Sequence, residues 1–177
     1  DSETATVTVN VTAVNDVPAA TAQTVTAHED VDRVITLSGT DIEGSALTYT
    51  ITTLPSKGTL YQANSDTSQG DAISEVPTTV IHRGFKLVYV SALNGNGDGY
   101  GNFGFKINDG TDDSDAAAVT VNVSPVDDPP TVANGIAEVA ADEAADETQN
   151  TTFIDLSNVF TDLDNEDSDI TKSVQAN

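Results

Sequence analysis

The sequence predicts an all-β fold, a sandwich of about seven strands in Greek-key order, in a tandem array of such modules. Three observations lead to this prediction. Thr and Val, which favour strands, are abundant, and apolar residues recur mostly at every second position. Turn residues interrupt these segments at short intervals, as in β-sandwiches. A segment that begins at Val7 recurs at Val119, an offset of 112 positions.

The candidate strands follow one another with turn signals between them. Their segments are 22–27, 33–38, 46–52, 58–61, 78–81, 85–90, 103–107 and 117–123. In 103–107, the residues Phe103, Phe105 and Ile107 alternate and so share the core-facing side. Arg83-Gly84 predicts a turn between two neighbouring strands. The polar, Gly- and Ser-rich segment 62–76 is expected to be an exposed connection.

The repeat sets the expected domain boundaries. Val-Thr-Val-Asn-Val stands at 7–11 and again at 119–123, and an Asn-Asp or Asp-Asp pair and a proline follow each copy. Residues 1–16 are therefore expected to be the closing strand and linker of a preceding module. Residues 17–125 form one complete module, long enough to bury a core of its own. Residues 126–177 are the linker and the N-terminal part of a following module.

Composition narrows the classes of partner. With 29 acidic and six basic residues, the formal net charge is −23, which argues against nucleic acid and anionic membranes. No apolar run approaches the ~20 residues that span a bilayer, so membrane insertion is not expected. The absence of cysteine fits a cytosolic protein and an exported one equally. The acidic excess itself has two readings, a solubilising surface or a set of cation ligands.

Carboxylates fall in the loops that meet at the two ends of such a sandwich. The loops after the second and sixth strands lie where the chain enters, which we call the proximal end. The loops after the first and fifth strands lie where it leaves, which we call the distal end. The proximal candidates are Asn15, Asp16, Asp41, Glu43, Asn108 and Asp109. The distal candidates are Glu29, Asp30, Asn94, Asn96, Asp98, Asp127 and Asp128, joined by Asp162 and Asp164 of the next module.

These oxygen-bearing side chains predict calcium at the joints between modules. Ca²⁺ takes about 6–8 oxygen ligands from carboxylates, amides, backbone carbonyls and water. Carboxylates that repel one another when unpaired become a clamp once a divalent ion is bound. The segment 94–99, Asn-Gly-Asn-Gly-Asp-Gly, resembles the start of an EF-hand loop, but the twelfth position is Phe105 instead of Glu, so an EF-hand is rejected. A plain turn and a ligand loop both remain open for that segment.

The central module resembles the bacterial cadherin-like modules that occur in tandem in very large cell-surface and biofilm adhesins. The resemblance rests on Asp-Ile-Glu-Gly at 41–44, Leu-Thr-Tyr at 47–49, Leu-Pro-Ser-Lys-Gly-Thr-Leu at 54–60, Leu-Val-Tyr at 87–89 and Phe-Gly-Phe-Lys-Ile-Asn-Asp-Gly at 103–110. It implies an immunoglobulin-like sandwich, calcium between modules and export by a Gram-negative bacterium.

By the same resemblance, specific residues match cadherin calcium ligands. Glu29 matches the first-strand acid, Asp41 and Glu43 match the Asp-x-Asp loop, and Asp109 matches the later loop acid. Asn15 and Asp16 match the linker. The linker has fewer acids than that of animal cadherins, and Glu43 stands where an Asp is usual, which implies fewer or weaker ions at each joint. For residues 131–177 the resemblance is partial.

Two functions follow as expectations. The first is a calcium-stiffened spacer in an extracellular RTX-type adhesin that supports adhesion and biofilm formation, with neighbouring modules as its partners. The alternative is a directly adhesive module that binds carbohydrate, protein or like modules, for which Tyr61 and Tyr100 are the candidate aromatic platforms. Catalysis is not expected, because His28 and His82 stand in no recognisable motif.

Overall fold

The chain divides into two compact units, Asp1–Ser124 and Pro125–Asn177. A computed structural model describes residues 1–133, 159–162 and 170–171. All regular structure in this described part is β-strand, and it contains no helix long and apolar enough to cross a bilayer. The expected all-β fold is therefore confirmed.

Thirteen strands are present in the described residues. In chain order they are β1 (Ala19–Ala20), β2 (Gln23–His28), β3 (Arg33–Thr36), β4 (Gly39–Thr40), β5 (Thr48–Thr53), β6 (Thr59–Ala63), β7 (Gln69–Ala72), β8 (Thr78–Thr79), β9 (Lys86–Val90), β10 (Gly97–Asn108), β11 (Ala117–Ser124), β12 (Thr131–Val132) and β13 (Phe160–Thr161).

Two sheets form the sandwich of the first unit. One has the order β2-β11-β10-β5-β8 and the other β3-β9-β6-β7, while β1 and β4 form a short separate pair. All neighbours are antiparallel except β2 and β11, which run parallel. This arrangement carries the β2, β4 and β10 loops to the ends of the sandwich, where the acids lie.

The core lies between the two sheets and is built from alternating strand residues. On β10 the inward residues Phe103, Phe105 and Ile107 are at most 2% exposed, while the residues between them face outward. Tyr49 on β5 stacks on Phe85 at 4.1 Å and on Phe105 at 6.1 Å between ring centroids. Burial raises the pKa of Tyr49. The Phe85 contact links β5 of the five-stranded sheet to the residue that precedes β9 of the other sheet, while Phe105 lies on β10 of the same sheet as Tyr49.

The segment 62–76 differs from the expectation of an exposed connection. β6 extends to Ala63, β7 pairs with it, and Ile73 is 5% exposed with its backbone N–H donating to Leu60 O at 2.8 Å. Most of the segment is exposed, as predicted, but it is not a plain connection, because its turn residues concealed a fourth strand for this sheet.

β10 begins earlier than the sequence pattern indicated. It starts at Gly97, which pairs with Val123, and a register shift separates this pair from the one at Gly101. The backbone N–H of Gly99 donates to the side-chain oxygen of Asn122 at 2.7 Å. The glycines allow the irregular pairing, but they removed the alternation by which a strand is recognised.

The segment before β1 forms no strand. Val7, Val9 and Val11 are 77–89% exposed, although the identical sequence at 119–123 lies in the core as β11. The strand predicted at 7–11 would need the sheet of a preceding module as its partner, so that domain assignment stays a prediction.

The described part of the second unit contains one strand pair, β12 with β13. Ala133 N donates to Val159 O at 2.8 Å next to this pair, and Val159 is 7% exposed. In the first unit, Ala19 pairs with Thr40 directly before Asp41. In the second, Thr131 pairs with Thr161 directly before Asp162. Thr131 follows Ala19 at the repeat offset, so the two units begin with the same pairing.

Candidate metal-binding clusters

The structure brings the linker and two loops together at the proximal end of the first unit. The Asn15 side-chain Nδ2 donates to Asp109 Oδ2 at 2.9 Å and to Asp112 Oδ2 at 3.0 Å. The backbone N–H of Asp16 donates to Glu43 Oε2 at 3.3 Å. Segments far apart in sequence therefore meet here, as the loop positions predicted. We call Asn15, Asp16, Asp41, Glu43, Asn108, Asp109, Asp112 and Asp113 the proximal cluster.

Asp41 occupies the turn that follows β4. Its Oδ1 accepts from Ser45 N at 2.6 Å, and its backbone oxygen accepts from Gly44 N at 3.4 Å. Gly44 has a φ of +74°, a left-handed conformation that glycine adopts without strain. The other carboxylate oxygen, Oδ2, is buried and has no hydrogen-bond partner. A buried, unsatisfied carboxylate oxygen is costly, so this atom is a candidate metal ligand.

Asp109 anchors the turn that follows β10. Its Oδ1 accepts from the backbone N–H groups of Thr111 and Asp112, both at 2.7 Å, while Oδ2 faces Asn15. The N–H of Asp112, then the Asn15 amide and the N–H of Thr111, hold the pKa of Asp109 below its ordinary value. These donors favour the charged carboxylate.

Two acids of the proximal cluster, Asp112 and Asp113, were missed by the sequence analysis. Asp113 Oδ1 accepts from Asn108 Nδ2 at 2.8 Å, and Asn108 Oδ1 accepts from Gly110 N at 2.7 Å. Asn108 thus closes its own turn with both ends of its side-chain amide. The signal that could have revealed both acids is their place three and four residues after Asp109, in the same turn.

A second group of the predicted residues meets at the distal end. Glu29 is fully buried, its backbone N–H donates to Ser124 O at 3.1 Å, and its Oε2 accepts from Asn96 Nδ2 at 3.0 Å. Asp30 Oδ1 accepts from the backbone N–H of Asn94 at 3.3 Å. Asp30 and Asn94 have φ values of +58° and +54°, which are uncommon for residues other than glycine. We call Glu29, Asp30, Asn94 and Asn96 the distal cluster.

The remaining predicted ligands are one strand residue of the first unit, three residues of the second unit and one residue outside the description. Asp98 is exposed on β10 and makes no hydrogen bond to the described residues. Asp127, Asp128 and Asp162 belong to the second unit, where Asp162 directly follows β13. Asp164 lies outside the described residues.

The proximal cluster concentrates negative charge without a Lys or Arg partner among the described residues. In that same part of the chain, no three His, Cys, Asp or Glu side chains gather closely enough to hold a metal ion. The acids and the linker therefore share one end of the sandwich without forming a closed coordination shell.

Comparison with known proteins identifies the domain family. The family model of the SibA-like immunoglobulin-like domain matches residues 3–123. A search of curated proteins found no match. A solved structure, a chimeric titin Z1Z2 functionalized with a KLER exogenous peptide from decorin, is 11% identical with a TM-score of 0.34, over 72% of this chain and 57% of that one. At that TM-score it carries no inference, and the chain spans little more than half of its length. With the family model covering the whole sandwich of the first unit, the chain belongs to the SibA-like immunoglobulin-like domain family.

Proposed function

We propose that this immunoglobulin-like domain is a spacer module of a cadherin-like bacterial surface adhesin, and that calcium stiffens its joints. The observation that carries the proposal is the proximal cluster. Two linker residues and the loops after β4 and β10 meet there, with no basic partner for their carboxylates among the described residues. One buried carboxylate oxygen, Asp41 Oδ2, has no hydrogen bond. A bound divalent cation would neutralise these unpaired carboxylates and would also coordinate Asp41 Oδ2.

The residues of the proximal cluster fit the ligand chemistry of calcium. Ca²⁺ prefers carboxylate and amide oxygens, and it tolerates flexible geometry and water in its shell. Asp41, Glu43 and Asp109 would supply carboxylates, and Asn15 would supply an amide oxygen. The Asn15 side-chain Nδ2 donates to the carboxylates of Asp109 and Asp112. Rotation of this amide by about 180° would place its oxygen, a possible calcium ligand, next to the same two carboxylates. The exposed acids would reorient to complete the shell.

Calcium bound in this way would fix the linker against the module. Without the ion, hydrogen bonds of Asn15 and Asp16 alone hold the linker to the loops, and their partners are exposed. Exposed polar contacts of this kind are screened by water and hold the linker only weakly. A divalent ion that joins residues from three segments restricts the linker far more. The array would then extend and hold a distant binding domain away from the cell.

The repeated pairing supports an array of modules. β12 and β13 reproduce the pairing of β1 and β4 at the repeat offset, and an acid follows the second strand of each pair. Calcium sites in extracellular modules have dissociation constants of about 10⁻⁴–10⁻³ M. Such sites would be filled in a calcium-rich medium outside the cell and largely empty in the cytoplasm, which agrees with an exported protein.

Calorimetric titration with CaCl₂ tests this function. We expect heat of binding from the wild-type chain and at least tenfold weaker binding from Asp41→Asn. Asp71→Asn is the matched control, because Asp71 is an exposed acid on β7, away from the sandwich ends, and its replacement removes the same charge. Absence of binding heat from the wild-type chain, or equal weakening by both substitutions, would disprove the proposed site.

A further inference from the structure

The outer face of the four-stranded sheet carries an aromatic side chain within an apolar row. Tyr61 on β6 pairs with Val88 on β9 and with Ala72 on β7, and Val88 pairs with Val34 on β3. Residues paired in register lie on the same side of a sheet. Val88 is fully buried although it is not part of the inter-sheet core, whereas Tyr61 is half-buried. The row is therefore apolar, with part of the Tyr61 side chain accessible.

A shallow, open cavity of about 360 Å³ adjoins this row. Its lining residues are Ala63, Asn64, Ile81, His82 and Arg83. Ala63 lies two residues after Tyr61 on the same strand, so the two side chains are about 6.8 Å apart on one face. Ile81 is 70% exposed and forms an apolar rim.

Basic groups concentrate at this cavity, in a chain whose net charge is −23. Asp66 Oδ1 accepts from Lys86 Nζ at 2.8 Å and lies 3.7 Å from His82 Nε2. The hydrogen bond from Lys86 lowers the pKa of Asp66. Arg83 is exposed and makes no ion pair within the described residues. The Asp66 carboxylate thus already contacts Lys86 and His82. The Arg83 guanidinium remains available to the carboxylate of a ligand.

The loop that carries Arg83 is held in place from both sides. The side chain of Gln62, which is 7% exposed, donates from Nε2 to Thr79 O at 2.8 Å and accepts from Ile81 N at 3.1 Å. The backbone N–H of Phe85 donates to His82 O at 2.8 Å, and His82 Nδ1 accepts from Gly84 N at 3.0 Å. A loop fixed in this way loses little conformational entropy when a ligand binds.

We propose that this face binds a saccharide that bears a carboxylate. An acidic sugar unit occupies the cavity, its carboxylate pairs with Arg83, its hydroxyl groups meet the Asn64 amide, and the neighbouring sugar unit rests on Tyr61. The planar guanidinium of arginine binds carboxylates in a bidentate manner.

The test uses digalacturonate as the probe, with the neutral disaccharide of the same linkage and a Glu-Glu dipeptide as comparisons. Binding is followed by amide chemical shifts of the full chain in ¹H–¹⁵N spectra, at physiological salt and with EDTA present, so that calcium plays no part. We expect shift changes confined to residues 61–64 and 81–86 that saturate with digalacturonate and are much smaller with both comparisons.

Variants distinguish a specific binding site from nonspecific electrostatic attraction of an anion. Arg83→Gln is expected to weaken digalacturonate binding about tenfold, as loss of a charge-assisted hydrogen bond should. Tyr61→Ala is expected to weaken it severalfold while the spectrum stays dispersed. Lys106→Gln removes the same charge from β10 on the other sheet, and its affinity should stay within about twofold of wild type. Equal weakening by Lys106→Gln, equal binding of the neutral disaccharide or the dipeptide, or no shift at all would overturn the proposal.

Discussion

Replacing Asp41 with asparagine separates the role of its charge from the role of its shape. The substituted side chain would keep the oxygen that accepts from Ser45 N at 2.6 Å, so the turn after β4 should stay intact. The change would remove a carboxylate charge whose second oxygen is buried without a partner. In the presence of a chelator we therefore expect the free energy of unfolding to change by less than about 1 kcal/mol.

The size of the calcium effect follows from linkage. A ligand that binds only the folded state stabilises it by RT ln(1 + [L]/Kd). For dissociation constants of about 10⁻⁴–10⁻³ M, about 10 mM calcium is about 10 to 100 times Kd, which gives about 1.4–2.7 kcal/mol. For a domain of about 100 residues, 1 kcal/mol shifts Tm by about 4–8 °C. The Tm of the wild-type chain should therefore rise by about 6–20 °C.

Thermal unfolding followed by circular dichroism, with EDTA and with about 10 mM CaCl₂, measures this shift. Asp41→Asn should lose most of the calcium-dependent rise, while Asp71→Asn should keep it. MgCl₂ at the same concentration controls for general screening of the net charge. A specific calcium site at Asp41 is contradicted if magnesium raises Tm as much as calcium does, or if Asp41→Asn keeps the full calcium response.

Three further predictions concern the module itself. Phe105→Ala should lower the free energy of unfolding by about 3–5 kcal/mol in chemical denaturation, because Phe105 is fully buried and stacks on Tyr49; a loss below about 1 kcal/mol would contradict the described core. Gly101→Ala should cost about 1–3 kcal/mol in the same assay, because its Cβ would lie 2.5 Å from Tyr89 Oη and 2.9 Å from Cζ, and a neutral result would contradict this packing. Burial, and then Tyr100, raise the pKa of Tyr89 to about 12. Since this folded-state pKa lies above the ordinary value of 10, the contribution of Tyr89 to stability is complete below pH 10 and is lost as the pH rises towards 12; Tyr89→Phe should flatten that decline in a pH series of denaturation curves.

The strands with regular alternation could be predicted from sequence, and the irregular ones could not. β5 and β11 alternate apolar and polar residues, so their positions follow from the two-residue period of a strand. β7 reads Gln-Gly-Asp-Ala and has no such period, and it is a strand because β6 offers it a free edge. Tertiary pairing therefore overrode local preference there.

The grouping of the acids at the sandwich ends was also predictable. Loop positions follow from strand order, and the contacts of Asn15 with Asp109 and of Asp30 with Asn94 agree with that order. The orientation of each side chain was not predictable. Asn108 closes its own turn with Gly110, and Asp98 continues into β10, since local backbone hydrogen bonds decide where such side chains point.

Small-angle X-ray scattering of the full chain, in EDTA and in millimolar calcium, tests the stiffened joint most directly. Calcium bound by residues of a linker and of the adjoining loops should narrow the range of linker conformations and give a longer, more rigid particle. We expect a larger maximum dimension and a less flexible scattering profile in calcium, with the change reversed by chelator. Superimposable curves with and without calcium, at a concentration at which the module is saturated, would contradict it.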